Sequence, residues 1–330
     1  MFALLCYIVF SYVLFFLVRD VETSQDYKNY LSWFISIANG GGGEGILSLK
    51  DPAFYMLSKL SVAFNGGVYF VIFSLVSIAI FSKAILLSRF DVIIILTFTL
   101  LYICKFFFTL ELTQFRAAAA IGLSLLSLMY YSERKVALSG FAIILALTVH
   151  LSAILILLAL PIIYLSRKAK YQKLILLSMM LLLLMAIATP IKLSFFVFIP
   201  LIGERLIPYL DSSYQVYELS LLNSYLFIKI IMYLMYVAWF FLKRDSKVIN
   251  SDRNNLQLFF YLSCLGTFFF IAFRLNDAIA LRLSEFYSVF DLLFFAFLSK
   301  VFSKEAKLYF RYLLLLLSSA FLYSSLNLIN

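Results

Sequence analysis

The sequence predicts an all-α protein, a polytopic bundle of transmembrane helices, and three observations support this fold class. Of the 330 residues, 64% are hydrophobic and only 13% are charged, whereas soluble domains are about 45–50% apolar and about 25% charged. Apolar runs such as 92–110 and 174–190 are long enough to cross a hydrocarbon core about 30 Å thick. Because such runs are too long for the strands of a membrane barrel, helices are the expected spanning structure.

About 11 spans are expected, within a range of roughly 10–12. The run at 2–18 lacks a basic start and a small-residue cleavage site, so it predicts a retained helix and not a cleaved signal peptide. The expected spans are 2–18, 67–88, 92–109, 115–132, 136–149, 150–166, 174–190, 223–242, 256–274, 279–299 and 309–326.

The remaining segments fit a single integral membrane domain, 1–330, with two long external loops, 19–66 and 191–222. Within the first loop, Pro52 opens an apolar segment, because proline is favoured at the first position of a helix. The segment 52–64 is therefore expected to form an interfacial or re-entrant helix.

The segment 136–166 could form one long helix or two short ones, and the flanking charges favour two. The cluster SERK at 132–135 precedes it and RKAK at 167–170 follows it. Two crossings place both clusters on the cytoplasmic side, as the positive-inside rule requires. Fifteen of the 27 Lys and Arg residues then lie at inner positions and nine at outer ones, which favours a cytoplasmic N-terminus. Arg19, directly after the first span, opposes this orientation.

The acidic residues are distributed as unevenly as the basic ones. Eleven of the 17 map to the outer side, beside several arginines. A site for charged or sugar-like substrates is therefore expected on the outer face. The formal charge of +10 is explained by topology, so no nucleic-acid partner is expected.

The stretch TLELTQFRAAAA at 109–120 places Glu111, Gln114 and Arg116 among apolar runs. Glu111 and Arg116 are five positions apart, about 140° around a helix, so they are poorly placed to pair. Each then needs a second helix, a loop or a ligand, because intramembrane charges are functional candidates by default. An arginine that reaches the lipid headgroups is the alternative. The alanine run favours close packing against a neighbouring helix.

Two further candidates are the only histidine, His150, and Asp26 after the first span. His150 could take a proton from a hydroxyl or donate to a phosphate, or it could be a hydrogen-bonded structural group. Asp26 could bind sugar or act as a base. The neighbouring Tyr30 and Trp33 are expected to be ordinary aromatics of the membrane interface.

The segment FRLNDAIALRLSEFYSVFD carries two arginine–carboxylate pairs at helical spacing. Arg274 and Asp277 are three residues apart, as are Arg282 and Glu285, so each pair is expected to share a helix face. Guanidinium groups suit the oxygens of phosphate. The alternative is two local ion pairs, which contribute little if they are exposed.

Neither a metal nor another cofactor is expected. The three cysteines lie inside apolar runs without metal-ligand spacing, and there is no nucleotide-binding glycine motif.

These motifs, in this order, resemble the EpsG-like branch of the Wzy-type polysaccharide polymerases. The resemblance is carried by DYKNY with KDPAFYMLSKL beyond it, QFRAAAAIGLSLLSL, SERK followed by LALTVHLSAILIL, and LRLSEFYSVF. It covers about residues 1–300, and the region 190–222 has no counterpart.

The resemblance implies a bacterial O-antigen or exopolysaccharide polymerase of the inner membrane. Such a glycosyltransferase transfers a growing glycan from undecaprenyl pyrophosphate to another lipid-linked repeat unit on the periplasmic face. The implied partners are this lipid-linked oligosaccharide, as donor and acceptor, the lipid bilayer and a chain-length regulator protein. The resemblance places Arg116 and Arg282 at the pyrophosphates and His150 near the reacting groups. The alternative candidates for the catalytic base are His150, Glu111, Glu285 and Asp26. Arg274 is a further candidate for pyrophosphate, and Tyr27, Gln114 and Tyr287 are candidates for sugar.

Two other functions remain open from the sequence. A transporter or flippase of lipid-linked oligosaccharide would need polar residues along a path through the membrane, and few are present. A ligase or acyltransferase on the outer face would share the geometry of a polymerase and differ in its acceptor.

Overall fold

The described part of the chain is helical. The structure, a computed structural model, describes residues 2–18, 21–24, 26–40, 51–198, 217–221, 223–242, 250–301 and 304–327, and no strand occurs within these ranges. The α-helices are α1 (Phe2–Leu17), α2 (Tyr27–Ala38), α3 (Pro52–Ala63), α4 (Val68–Leu87), α5 (Val92–Tyr102), α6 (Phe108–Leu110), α7 (Phe115–Ser132), α8 (Val136–Val149), α9 (Ala159–Ser166), α10 (Ala169–Ala188), α11 (Ser224–Leu242), α12 (Asn250–Ala272), α13 (Asp277–Val301) and α14 (Lys304–Asn327). Three 3₁₀-helices (Val21–Thr23, Leu151–Leu158, Leu193–Phe196) and a π-helix (Ile103–Phe107) complete the set.

The predicted fold class is confirmed. Every predicted span coincides with a helix or with two or three consecutive helices. Among the described residues, five helices are long and apolar enough to cross a membrane, so the protein is a polytopic membrane protein. Helix α3 begins at Pro52, as predicted. Parts of both predicted external loops, including 41–50 and 199–216, lie outside the described residues.

The chain divides into two compact units. The first comprises Met1–Leu160 and Leu298–Asn330, and the second comprises Pro161–Phe297.

Helices α4 and α7 form the core of the first unit and run parallel. Lys83 of α4 donates to the carbonyl of Ala118 at 3.3 Å. Arg89 and Glu133 lie just after the C-terminal ends of α4 and α7, and their side chains form an ion pair at 3.3 Å. The helices approach closely at Gly122, where an added Cβ would lie 2.9 Å from the Cβ of Ser82. The alanine run therefore provides the predicted close-packing surface, since small residues let helix backbones approach.

Helix α8 packs against α7 and ends at a single extended residue. The hydroxyl of Ser127 donates to the carbonyl of Ser139 at 2.9 Å, which fixes the register of α7 and α8. His150 then adopts φ −155° and ψ 122°, and a 3₁₀-helix that contacts both α8 and α7 follows it. The segment 136–166 is thus divided into two helical segments. The two-crossing topology and the cytoplasmic N-terminus stay predictions.

The third helical span of the first unit is interrupted by the π-helix Ile103–Phe107, which joins α5 to α6. Helix α14 packs against this π-helix. Lys105 lies within it, with its amine 4.8 Å from the ring of Phe106 and 4.9 Å from the ring of Phe321 of α14.

In the second unit, α10 packs against α12. The backbone N–H of Ile191, after α10, donates to the carbonyl of Ala272 at the end of α12 at 2.6 Å.

Candidate functional site

Arg116 is the second residue of α7, an unusual place for a cation. The first turn of a helix has free N–H groups and a partial positive charge, so it favours anions over cations. Gln114, the residue that caps α7, makes no side-chain hydrogen bond to the helix. Arg116 therefore requires a nearby negative charge.

Three side chains from the first unit surround the Arg116 guanidinium. Asp51, directly before α3, forms an ion pair with Arg116 Nη1. Tyr30 of α2 accepts a hydrogen bond from Arg116 Nε at 3.4 Å, and its ring centroid lies 5.2 Å from the guanidinium carbon. The Trp33 ring lies closer, at 4.4 Å. The guanidinium is therefore fixed by one carboxylate and two aromatic rings.

Burial raises the pKa of the Tyr30 phenol, and the neighbouring Arg116 only partly opposes this. Tyr30 thus stays protonated at neutral pH. Its oxygen accepts from Arg116, and a protonated phenol can also act as a donor. The predicted candidate Asp26, which precedes α2, is half-buried and lies near enough to interact electrostatically with Arg116.

Glu111 is fully buried and is paired with a lysine. Its Oε1 accepts from Lys83 Nζ at 2.8 Å and from the Tyr102 hydroxyl at 2.6 Å. Its Oε2 is buried without a hydrogen-bond partner among the described residues. Lys83 also donates to Ala118, two residues after Arg116. As predicted, Glu111 and Arg116 have separate partners, and Glu111 takes its partner from a second helix.

His150 lies at the same end of the α7–α8 pair as Arg116. Ser127 contacts Ser139, Arg116 lies eleven residues before Ser127, and His150 lies eleven residues after Ser139. Eleven residues are about three helical turns, or about 16.5 Å, so both residues lie level in the bundle.

The tautomer of His150 follows from its hydrogen bond. Its Nδ1 accepts from the backbone N–H of Ser152 at 3.2 Å. In a neutral imidazole the proton is then on Nε2, which becomes a hydrogen-bond donor. In this tautomer the ring can donate a hydrogen bond from Nε2 and is poorly suited to remove a proton.

Two predicted sugar contacts also lie in the first unit. Tyr27 of α2 is buried, and its ring lies 5.9 Å from that of Tyr69, whose hydroxyl donates to Glu22 at 2.5 Å. Gln114 is half-buried directly before α7. Tyr27 and Gln114 are thus close in sequence to Tyr30 and Arg116.

The second unit contains the remaining predicted residues. Arg274 lies in the turn before α13, so the prediction that it shares a helix face with Asp277 is wrong. Its Nη1 donates to the carbonyls of Ala186 and Ile187 at 3.1 and 3.3 Å, and its Nε is 4.0 Å from Glu218. These contacts tie the start of α13 to the end of α10.

Arg282 and Glu285 lie one turn apart on α13, as predicted. Arg282 is exposed and Glu285 is half-buried. Tyr287 is fully buried, with its ring stacked on that of Phe269 at 5.7 Å.

Sequence reasoning missed several charged partners. A second buried ion pair joins Lys229 and Asp291 at 2.6 Å, and Ser263 donates to the same carboxylate oxygen at 2.5 Å. Neither this pair nor that of Lys83 could be found from local spacing. The signal that was available is a lone lysine within an apolar helix, since such a charge is expected to have a partner. Among the described residues, no group of three or more His, Cys, Asp or Glu side chains could hold a metal ion.

Comparison with known proteins identifies a family. No curated protein and no solved structure matches the chain. The model of the EpsG family matches residues 2–329. The match thus covers nearly the whole chain, and it contains both compact units and the turns around Arg116 and His150. The chain belongs to the EpsG family.

Proposed function

We propose that this protein is a polysaccharide polymerase that transfers a growing glycan from undecaprenyl pyrophosphate to the sugar of another lipid-linked repeat unit. Membership in the EpsG family supports a polymerase-type function in the synthesis of exopolysaccharide or O antigen. The donor, the acceptor and the membrane face belong to the proposal.

The observation that carries the proposal is the setting of Arg116. A guanidinium in the first turn of a helix, fixed by Asp51 and two aromatic rings, is preorganised for an anion. Its planar fork matches the oxygens of phosphate. Fixed donors aimed at developing charge contribute strongly to catalysis because they need no reorganisation.

The proposed reaction is a displacement at the anomeric carbon of the donor sugar. The acceptor hydroxyl oxygen forms the new bond, and the bond from that carbon to the pyrophosphate breaks. The leaving pyrophosphate takes the electron pair, and Arg116 stabilises its negative charge. Asp26, near Arg116, is our candidate to receive the hydroxyl proton. His150 would donate from Nε2 to a substrate oxygen.

Glu111 is better explained as a structural residue than as the base, because it is fully buried and paired with Lys83. In the second unit, Arg282 and Arg274 remain proposed pyrophosphate ligands, and Glu285 remains a proposed catalytic residue. Arg282 is the stronger arginine candidate because it is exposed, whereas Arg274 already donates to two backbone carbonyls.

The proposed location is the bacterial inner membrane, with the reaction on the periplasmic face and the N-terminus in the cytoplasm. This orientation is supported by the excess of Lys and Arg in the segments assigned to the inner side. In the same topology α7 begins toward the outer side, which agrees with a lipid-linked donor on that face.

The test is gel analysis of the glycan made by a deletion strain that is complemented with wild type, Arg116→Ala or Arg116→Lys. Wild type should restore a ladder of long chains, and Arg116→Ala should leave single repeat units. Arg116→Lys should restore little, because an ammonium lacks the planar fork. Arg89→Ala is the matched control. Arg89 is an exposed arginine that pairs with Glu133 after the C-terminal ends of α4 and α7, whereas Arg116 lies at the N-terminal end of α7.

Long chains made by normally inserted Arg116→Ala protein would refute the role of this arginine. The deletion strain also separates a polymerase from a flippase. Single lipid-linked units should accumulate outside the cytoplasm if polymerisation is lost, whereas loss of a flippase retains them inside.

A further inference from the structure

The carboxylate of Asp51 occupies the position where Arg116 would meet a phosphate. The side chain of Asp51 is only 6% exposed and that of Arg116 only 17%. A buried ion pair has little net charge, so in this arrangement Arg116 attracts a second anion weakly. Asp26 adds another negative charge nearby. A pyrophosphate can therefore bind strongly at Arg116 only if Asp51 gives up its contact with the guanidinium.

We propose that Asp51 is a tethered counterion, which a phosphate group displaces from Arg116 while Tyr30 and Trp33 hold the guanidinium in place. The identity of the displacing group as a lipid pyrophosphate rests on the proposed function. The exchange itself rests on the contacts of these four side chains.

A resident counterion is required when the site is empty. Removing one partner of a buried ion pair leaves an uncompensated charge, which is strongly unfavourable. The first turn of α7 adds its own partial positive charge to that of Arg116. Asp51 therefore keeps Arg116 folded into the unit between rounds of substrate binding.

The carboxylate of Asp51 also has an alternative position, at the N-terminus of α3. It is the residue before Pro52, the first residue of α3, and its extended backbone (φ −149°, ψ 94°) suits a helix cap. Aspartate is among the best capping residues, yet its side chain makes no capping hydrogen bond to α3. Once a phosphate takes Arg116, the carboxylate can turn to the free N–H groups of α3. This new hydrogen bond offsets part of the cost of the exchange.

The exchange of Asp51 for a phosphate involves only one edge of the guanidinium, because Tyr30 and Trp33 contact other parts of it. Asp51 contacts Nη1, whereas Tyr30 accepts from Nε and Trp33 covers the face at 4.4 Å. The last two contacts do not depend on Asp51. Arg116 can therefore change its anion without changing its position.

The experiment uses Trp33 as a reporter. The chain has two tryptophans, so Trp239→Phe, in the second unit, leaves the indole that lies on Arg116 as the only one. Purified full-length protein in detergent is titrated with inorganic pyrophosphate, and the dissociation constant is read from the fluorescence of Trp33. The variants Asp51→Asn and Asp51→Ser remove the competing charge. Serine is also a good capping residue for α3, which guards against a simple failure to fold.

We expect both Asp51 variants to bind pyrophosphate at least about tenfold more tightly than the Trp239→Phe parent, because a competing charge at contact distance is removed. Glu133→Gln is the matched control, since it removes a carboxylate from another arginine pair of the same unit. It should leave the dissociation constant unchanged.

Unchanged or weaker binding by Asp51→Asn and Asp51→Ser would overturn the exchange. Arg116→Ala separates this failure from failure of the proposed function. If Arg116→Ala binds pyrophosphate as tightly as its parent, Arg116 is not the anion site. If Arg116→Ala loses binding and the Asp51 variants do not tighten it, only the counterion role is refuted.

Discussion

The buried pair of Lys83 and Glu111 leads to a quantitative prediction for stability. Both side chains are 0% exposed, and the carboxylate oxygen that contacts Lys83 at 2.8 Å also accepts from Tyr102 at 2.6 Å. Breaking a buried ion pair by removing one partner costs about 3–5 kcal/mol, because the other charge is left uncompensated. We expect Lys83→Met and Glu111→Leu each to lower the free energy of unfolding by this amount.

The double variant Lys83→Met/Glu111→Leu should be more stable than either single variant. It removes both charges, and the loss of the Glu111 acceptor of the Tyr102 hydroxyl costs about 1–3 kcal/mol. If the two single effects were independent, their sum would be about 6–10 kcal/mol. The difference between this sum and the double variant measures the coupling of the two charges.

The assay is thermal unfolding of each purified variant in one detergent, with Lys105→Met as control. Lys105 is half-buried above two phenylalanine rings, so its loss should cost only about 0.5–1 kcal/mol. A double variant as unstable as the two single variants together would refute the ion-pair argument. If the double variant folds and still supports long glycan chains, Glu111 is not the catalytic base.

Three further predictions concern other parts of the first unit. Gly122→Ala should destabilise the protein by about 1–3 kcal/mol, because the added Cβ would contact α4. Gly140→Ala is the control and should leave the stability unchanged, since nothing lies within 4 Å of its added Cβ. Thermal unfolding of the two variants tests this. The hydrogen bond from Lys135 holds the pKa of the Glu133 carboxyl below its usual 4.5. Glu133→Gln should therefore lower the free energy of unfolding slightly at pH 7, by at most about 1 kcal/mol. The difference should shrink as the pH falls below 4.5 and through the lowered pKa of the folded state, and an unchanged difference in acid would contradict this. His150→Gln should retain longer glycan chains on a gel than His150→Asn, because the Gln amide reaches toward the Nε2 position that we expect to donate.

Much of the fold could be predicted because each span is a continuous apolar run, and such runs have few alternatives in a membrane. That Glu111 and Arg116 have separate partners was predicted, although the argument from an angle of about 140° assumed a single helix, whereas Glu111 lies in the turn before α7. The sequence did not predict which residues those partners are. Lys83 is 28 residues from Glu111 and Asp51 is 65 from Arg116, so the pairing depends on the rotation and register of separate helices.

The sequence was least informative about side-chain contacts where one pattern is compatible with two arrangements. Tyr30 and Trp33 are expected at the membrane interface from composition alone, and the structure brings both rings onto Arg116. Arg274 and Asp277 have helical spacing, but α13 begins only at Asp277. Spacing indicates a shared face only if both residues lie in the same helix.

The π-helix Ile103–Phe107 determines the direction in which the end of its span faces. A π-turn holds about one residue more than an α-turn, so everything after it is rotated by about 100° relative to an uninterrupted helix. Glu111 follows four residues later and meets Lys83 in that rotated orientation. Loss of one residue from 103–107 would shorten the span by little more than an ångström, yet it would swing the carboxylate away from its amine. We therefore expect a change of one residue in the length of this segment to disturb the Lys83–Glu111 pair more than a conservative substitution within it.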